Sequence, residues 1–185
     1  MKGLSVYIRP LQIEDAAVSY KWRNNPKIWR FTGSKPNRVI TPEIEKTWLE
    51  DVLQRKDEKR FAICLTKNDT YIGNVFLTQI NNASANIHIF IGDIDNWGRR
   101  RAIEAMALLL DFAFADLKLE SVFGLIDKNN ALSISLAKTF QCIPVETYTD
   151  QNTGKEMVKW EFNRDMFIKK THIQVLHVKP IIKGI

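Results

Sequence analysis

At 185 residues, with 45% hydrophobic and 26% charged positions and only 8 Gly and 6 Pro, the chain has the composition of one packed domain. That excludes disordered, collagen-like and low-complexity classes. Lys and Arg outnumber Asp and Glu by 27 to 21, and the resulting charge of +6 favours an anionic ligand, either nucleic acid or a phosphorylated cofactor. Met1 to Pro10 lacks the roughly 7–15 residue apolar run of a signal peptide, and no stretch reaches the about 18 apolar residues of a membrane span. Cys64 and Cys142 fall in no C-x-x-C or Cys/His ligand spacing, so the expectations are no membrane, no metal site and a reducing, cytoplasmic compartment.

Ser5 to Arg9 suits a short strand stopped by Pro10, and Glu14 and Asp15 open an amphipathic helix that runs to the Asn24-Asn25-Pro26 breaker. Thr41-Pro42-Glu43 starts a second helix: a hydroxyl for an orphan N–H, a proline harmless in the first turn, and an acid facing the dipole. Ile44, Trp48, Leu49, Val52 and Leu53 line one of its faces. Phe61 to Thr66, Tyr71 to Ile80 and Ala85 to Ile91 read as an antiparallel meander with turns at Lys67-Asn68-Asp69 and Asn81-Asn82. In the third run Ile87, Ile89 and Ile91 alternate with Asn86, His88 and Phe90, so one face is apolar and the other carries polar atoms toward a cleft.

Arg99 to Lys118 is the longest predicted helix, with Ile103, Met106, Leu110, Phe114 and Leu117 as its buried stripe. A strand from Ser121 to Ile126, a helix around Leu132, Leu136 and Phe140 capped by Asn129 or Asn130, and strands near 142–148 and 157–163 complete the order. A long helix between strands implies a crossover into a partly parallel sheet with helices on both faces, an α/β (α+β) class. The bounds are a single domain over 1–168 and an extension over 169–185. In that extension Ile173, Val175 and Val178 alternate as in an added strand or a dimer arm.

Three arginines at a helix head, Arg99, Arg100 and Arg101, oppose the dipole, and a bound anion held by first-turn amides and guanidinium groups would compensate. The segment Ile89-Phe90-Ile91-Gly92-Asp93, followed by Trp97-Gly98-Arg99-Arg100-Arg101-Ala102-Ile103-Glu104-Ala105, resembles the strand, acyl-CoA pyrophosphate loop and helix of the GNAT N-acetyltransferase superfamily. Trp22-Arg23-Asn24-Asn25-Pro26 and Trp48 are similar to the branch of ribosomal-protein N-terminal and small-molecule or amino-sugar acetyltransferases.

The resemblance implies a mixed sheet of about seven strands splayed at its centre, with acetyl-CoA as cosubstrate. By the same resemblance Ile89 and Ile91 would pair with the pantetheine arm and Trp97, Gly98, Arg99, Arg100, Arg101 and Ala102 would hold the pyrophosphate. Asn130 and Ser133 would approach the cofactor from the following helix. A primary amine of a small molecule, an amino sugar or a protein N-terminus would attack the thioester directly. The family loop reads Q/R-x-x-G-x-G/A, and Arg100 stands at its middle glycine, Ala137 at its tyrosine acid, and Gln141-Cys142 at the glycine-aromatic pair after it. Those departures carry a second expectation, a fold member that binds without turnover. Where relatives often carry a glutamate base the chain has Asn86, which cannot titrate, and His88 on the same face is the candidate base. Trp22, Trp48, Glu14, Glu43 and Tyr148 are secondary candidates around the acceptor. The chain shows no helix-turn-helix, zinc-finger or aromatic RNA-binding motif, so nucleic acid is not the expected partner.

Overall fold

Seven strands, in the order β1-β2-β3-β4-β5-β7-β6, form one sheet in the computed structural model, which describes residues 4–29, 36–98 and 100–165. β1 (Val6–Pro10) leads through a 3-10 turn, Ile13–Asp15, into α1 (Ala16–Arg23) and α2 (Pro26–Trp29). Arg9 clamps that turn through both oxygens of Asp15, at 2.8 and 2.6 Å, while Asp15 also takes the Gln12 amide. α3 (Pro42–Val52) begins as the sequence predicts, with Thr41 Oγ1 accepting from the Ile44 amide at 3.3 Å. β2 (Lys59–Leu65), β3 (Tyr71–Thr78) and β4 (Ser84–Ile91) follow as the expected antiparallel meander.

Alternation along these strands sorts the side chains to two sides. Val6, Ile8, Phe61, Ile63, Ile72, Val75 and Leu77 meet α4 (Arg101–Asp111), whereas Tyr7, Ala62, Cys64 and Tyr71 meet Trp22, Leu49 and Val52 of α1 and α3. Helices therefore cover both faces, and each fully buried Leu or Ile contributes roughly 1.5–3 kcal/mol. Glu104 ties α4 to the edge of the sheet, accepting from Ser5 N and Oγ at 2.7 Å each and from Val6 N at 3.3 Å.

The long helix differs from its expectation in two ways. It starts at Arg101, and past Asp111 it widens into a π-helical segment, Phe112–Asp116, where Leu117 N reaches back to Phe112 O. The wider turn shifts the facing of Leu117, which is only half-buried; before it, in the regular helix, Ile103 is also half-buried, while Leu108 and Leu109, off the predicted stripe, are fully buried. β5 (Ser121–Asp127), α5 (Ala131–Thr139), β6 (Ile143–Thr149) and β7 (Glu156–Asn163) finish the described fold. The boundary at 168 and the 169–185 extension lie outside the described residues.

The crossover makes β4 and β5 parallel, but only Ser84, Ala85 and Asn86 pair, with Ser121, Val122 and Phe123. Beyond them β4 continues to Ile91 paired with β3 alone, and β5 continues to Asp127 paired with β7 alone. The sheet is forked at its centre. At the open end of β4 the Trp22 indole lies flat on Gly92, where an added Cβ would sit 2.0 Å from Trp22 Cδ2. Tyr71 and Phe90 fix that indole, with ring centroids 4.7 and 6.1 Å away. Gly92→Ala must push the indole aside and should cost about 1–3 kcal/mol, read as a lower urea midpoint with unchanged slope; an unchanged midpoint would contradict this packing.

Candidate active site

The fork opens toward the head of α4. From Ile91 the chain turns through Gly92 and Asp93, whose amides both donate to Ile72 O, at 2.8 and 3.0 Å. Asp93 then caps the 3-10 turn Ile94–Asn96, its carboxylate accepting from Asp95 N at 3.1 Å and Asn96 Nδ2 at 2.6 Å. Trp97, 40% exposed, folds back so that its Nε1 donates to Ile91 O at 2.8 Å, which fastens the loop to the end of β4. Gly98 holds φ +71° and Arg100 φ +58°. A left-handed residue suits glycine and costs other residues about 1–2 kcal/mol, so Arg100 carries strain at the head of α4.

That strain has a consequence for the first turn. Helix geometry leaves its leading amides without intrahelical acceptors, and among the described residues none accepts from Arg101 N or Ala102 N. Arg100 is exposed beside them, whereas Arg101 turns inward. Only 8% exposed, its guanidinium bonds the side chain and backbone carbonyl of Asn96 and leaves Nε without a partner. Arg99 lies outside the described residues. Asn130 caps α5, Oδ1 accepting from Ser133 N at 3.1 Å, and Ser133 is half-buried behind it.

The opposite face of β4 carries Asn86, His88 and Phe90. His88 Nε2 is 2.9 Å from Thr78 Oγ1, and the imidazole stacks on Phe76 at 4.6 Å with 11° between planes. The Arg60 guanidinium lies over the other partners of a continuous column, 4.4 Å from Phe76 and 5.2 Å from Trp48, with Arg23 4.9 Å from Trp48. Burial, and after it the neighbouring Arg60 charge, push the His88 pKa down to about 4. The imidazole is thus neutral at physiological pH and a weaker base than a free histidine. Burial also lowers the Arg60 pKa, against the pull of Glu58, and raises that of the Cys64 thiol.

The column ends in a cavity of about 770 Å³ between α1 and α3, lined by Arg23, Arg38, Glu43, Glu45, Trp48 and Asp51 among others. Two of its three carboxylates are already engaged. Glu45, 2% exposed, accepts from Ser19 Oγ at 2.7 Å and pairs with Arg23 at 3.6 Å, and Asp51 pairs with Arg55 at 2.6 Å. Of the secondary candidates, Glu43 and Trp48 reach this cavity, while Trp22 is buried under Gly92. The contributions of Arg23, Arg60, Phe76 and Thr78 escape sequence reading, because three separate elements, α1, β2 and β3, bring them together.

Comparison with known proteins places these features in context. The family described as acetyltransferase (GNAT) domain matches residues 5–142. A probable N-acetyltransferase of Bacillus subtilis, YjcK, is 29% identical over 70% of this chain and 76% of its own length. The spermidine N(1)-acetyltransferase of Escherichia coli is 28% identical over 71% of this chain and 69% of its own. Among solved structures, the spermidine N-acetyltransferase of Vibrio cholerae in complex with CoA and spermine superimposes with a TM-score of 0.79. It is 17% identical and covers 89% of this chain and 98% of its own. A domain from Methanocaldococcus jannaschii gives 0.70 at 22% identity, over 85% and 97%.

The depressed His88 pKa carries a sign that stability measurements read. Unfolded His88 protonates near 6.5 and folded His88 near 4, so the unfolded state binds the extra proton first and stability falls as pH drops through that window. The loss is at most about 3 kcal/mol. His88→Gln should flatten the fall in urea-derived stability between pH 6.5 and 4; an identical slope in the variant would contradict the buried neutral imidazole.

Proposed function

Because the chain belongs to the GNAT acetyltransferase family, it transfers the acetyl group of acetyl-CoA to an amine, and we propose that the fork between β4 and β5 is where that transfer occurs. The observation that carries the reading is the abrupt end of β4–β5 pairing at Asn86, beside the amides and Arg100 at the head of α4. Backbone groups around Ile89, short of the Ile91 carbonyl that Trp97 Nε1 occupies, face the β5 side and suit an extended pantetheine arm. The amides of Arg101 and Ala102, with the Gly98 turn, Arg99 and the exposed Arg100 guanidinium, suit a pyrophosphate. Arg101 contributes its amide and, through Asn96, holds the loop. Asn130 and Ser133 order the head of α5 at the far wall. Trp97 anchors the loop instead of contacting the anion.

The acceptor enters from the α1 and α3 side. Its wall presents Trp48 between Arg23 and Arg60; of its carboxylates Glu45 pairs with Arg23 and Ser19 and Asp51 with Arg55, which leaves Glu43 as the one without a cation partner among the described residues. That surface favours a primary amine on a molecule with a flat or anionic portion, such as an amino-sugar phosphate, over a linear polyamine. An unprotonated amine attacks the thioester carbon, the C–S bond breaks, and the proton lost by nitrogen ends on the CoA thiol. His88, neutral and held by Thr78, orders this wall and does not take the proton.

Isothermal titration with acetyl-CoA should show micromolar binding, and thiol release should be faster with glucosamine 6-phosphate than with spermidine. Absence of heat at millimolar acetyl-CoA would overturn the binding site. Preference for spermidine would overturn the acceptor class alone.

A further inference from the structure

Arg101 is buried to 8% exposure, yet only one nitrogen of its guanidinium is bonded. Nη1 donates to the side chain and the backbone carbonyl of Asn96. Nε is shielded and has no acceptor, whereas Nη2, also without an acceptor among the described residues, is not shielded. Glu104, three residues on and on the same side of α4, would be the ordinary partner. Instead its Oε2 accepts from Ser5 N, Ser5 Oγ and Val6 N, and among the described residues no ion pair joins it to Arg101. A buried charge is tolerated when its donors are bonded, so this free Nε and Nη2 edge calls for an anion.

Arg101 also lines a second cavity, of about 280 Å³, with Leu4, Ser5, Leu65, Thr66 and Lys67. It lies where β1 begins and β2 ends, at the edge of the sheet, and β3 and β4 separate it from the fork. Its neutral polar groups are spent: Thr66 Oγ1 donates to Leu4 O at 2.6 Å, Thr66 N to Ser5 O at 3.0 Å, and Ser5 Oγ to Glu104. Lys67, exposed in the turn after β2, pairs with no carboxylate among the described residues. Two cations with unused donors therefore border one cavity that supplies no anion of its own.

We propose that this cavity binds a phosphate group, apart from the pyrophosphate loop, with Arg101 and Lys67 as its ligands. Nε and Nη2 are parallel donors that match two oxygens of a phosphate, and the flexible Lys67 ammonium reaches a third. The volume admits the free ion or a small phosphate monoester. Binding leaves Nη1 on Asn96, whose Nδ2 is held by Asp93 at 2.6 Å, so an occupied site braces the loop without using its amides. The site does not depend on transfer at the fork.

The test titrates inorganic phosphate, and separately glycerol 3-phosphate, into the full chain at fixed ionic strength in chloride, with and without saturating acetyl-CoA. Phosphate should bind saturably and keep its affinity when acetyl-CoA is present. Lys67→Glu should melt as the wild type does in phosphate-free buffer and bind phosphate at least about tenfold more weakly. Arg101→Gln should lose phosphate binding as well; if that variant fails to fold, Lys67→Glu decides. Tighter binding of glycerol 3-phosphate assigns the site to an ester, and tighter binding of inorganic phosphate assigns it to the free ion. Phosphate affinity in Lys67→Glu within about twofold of wild type overturns the proposal. So does competition between phosphate and acetyl-CoA, which places the ion in the loop, and so does absence of saturable binding at tens of millimolar. A chain that takes phosphate through Lys67 but binds no acetyl-CoA upholds this site and overturns the reading of the fork.

Discussion

Two parallel strands that pair over three residues and then part have, among the described residues, no strand ladder along their inner edges beyond that point. Where such an edge is shielded from water that is expensive, because an unpaired peptide group away from water forfeits its hydrogen bond. The fold tolerates it because each strand is secured on its outer side, β4 by β3 along its length and β5 by β7. The remaining features follow from holding that gap open. Gly92 and the Trp22 indole wedge the end of β4, and Asp93, Trp97 and Asn96 tether the loop that carries the chain to α4.

Charge is arranged around the gap in two different ways. At the head of α4 the positive end of the helix, two first-turn amides without an acceptor among the described residues, and the exposed Arg100 share one sign of charge. Arg101, adjacent in sequence, does a structural job, with its guanidinium buried on Asn96. On the opposite face the positive charges of Arg23 and Arg60 lie over Trp48 and Phe76, and burial, with the Arg60 charge after it, keeps His88 neutral. Arg100, the last residue before α4, holds a left-handed backbone of the kind that glycine adopts most readily.

Most of the fold is legible in the sequence, because period and caps are local. Thr41-Pro42 marks α3, the Ile87-Ile89-Ile91 alternation marks β4, and the strand, helix, strand order marks the crossover. What escapes is whatever depends on partners distant in sequence. The π-helical segment at Phe112–Asp116 leaves the apolar pattern intact while rotating Leu117 out of the core. The inward turn of Arg101 is invisible because an arginine at a helix head reads the same whether its side chain meets a ligand or Asn96. Likewise His88 looks like a base by residue type, and only the column of Phe76, Arg60 and Trp48 beside it explains why its affinity for protons is low.

Hydrogen exchange followed by mass spectrometry, with and without acetyl-CoA, addresses the central claim most directly, because it reports on the unmatched amides themselves. The account predicts slowed exchange over residues 87–91 and 100–104, with β6 and the far end of β7 unchanged. Unaltered exchange over both of those segments, at acetyl-CoA concentrations that saturate binding, would contradict it.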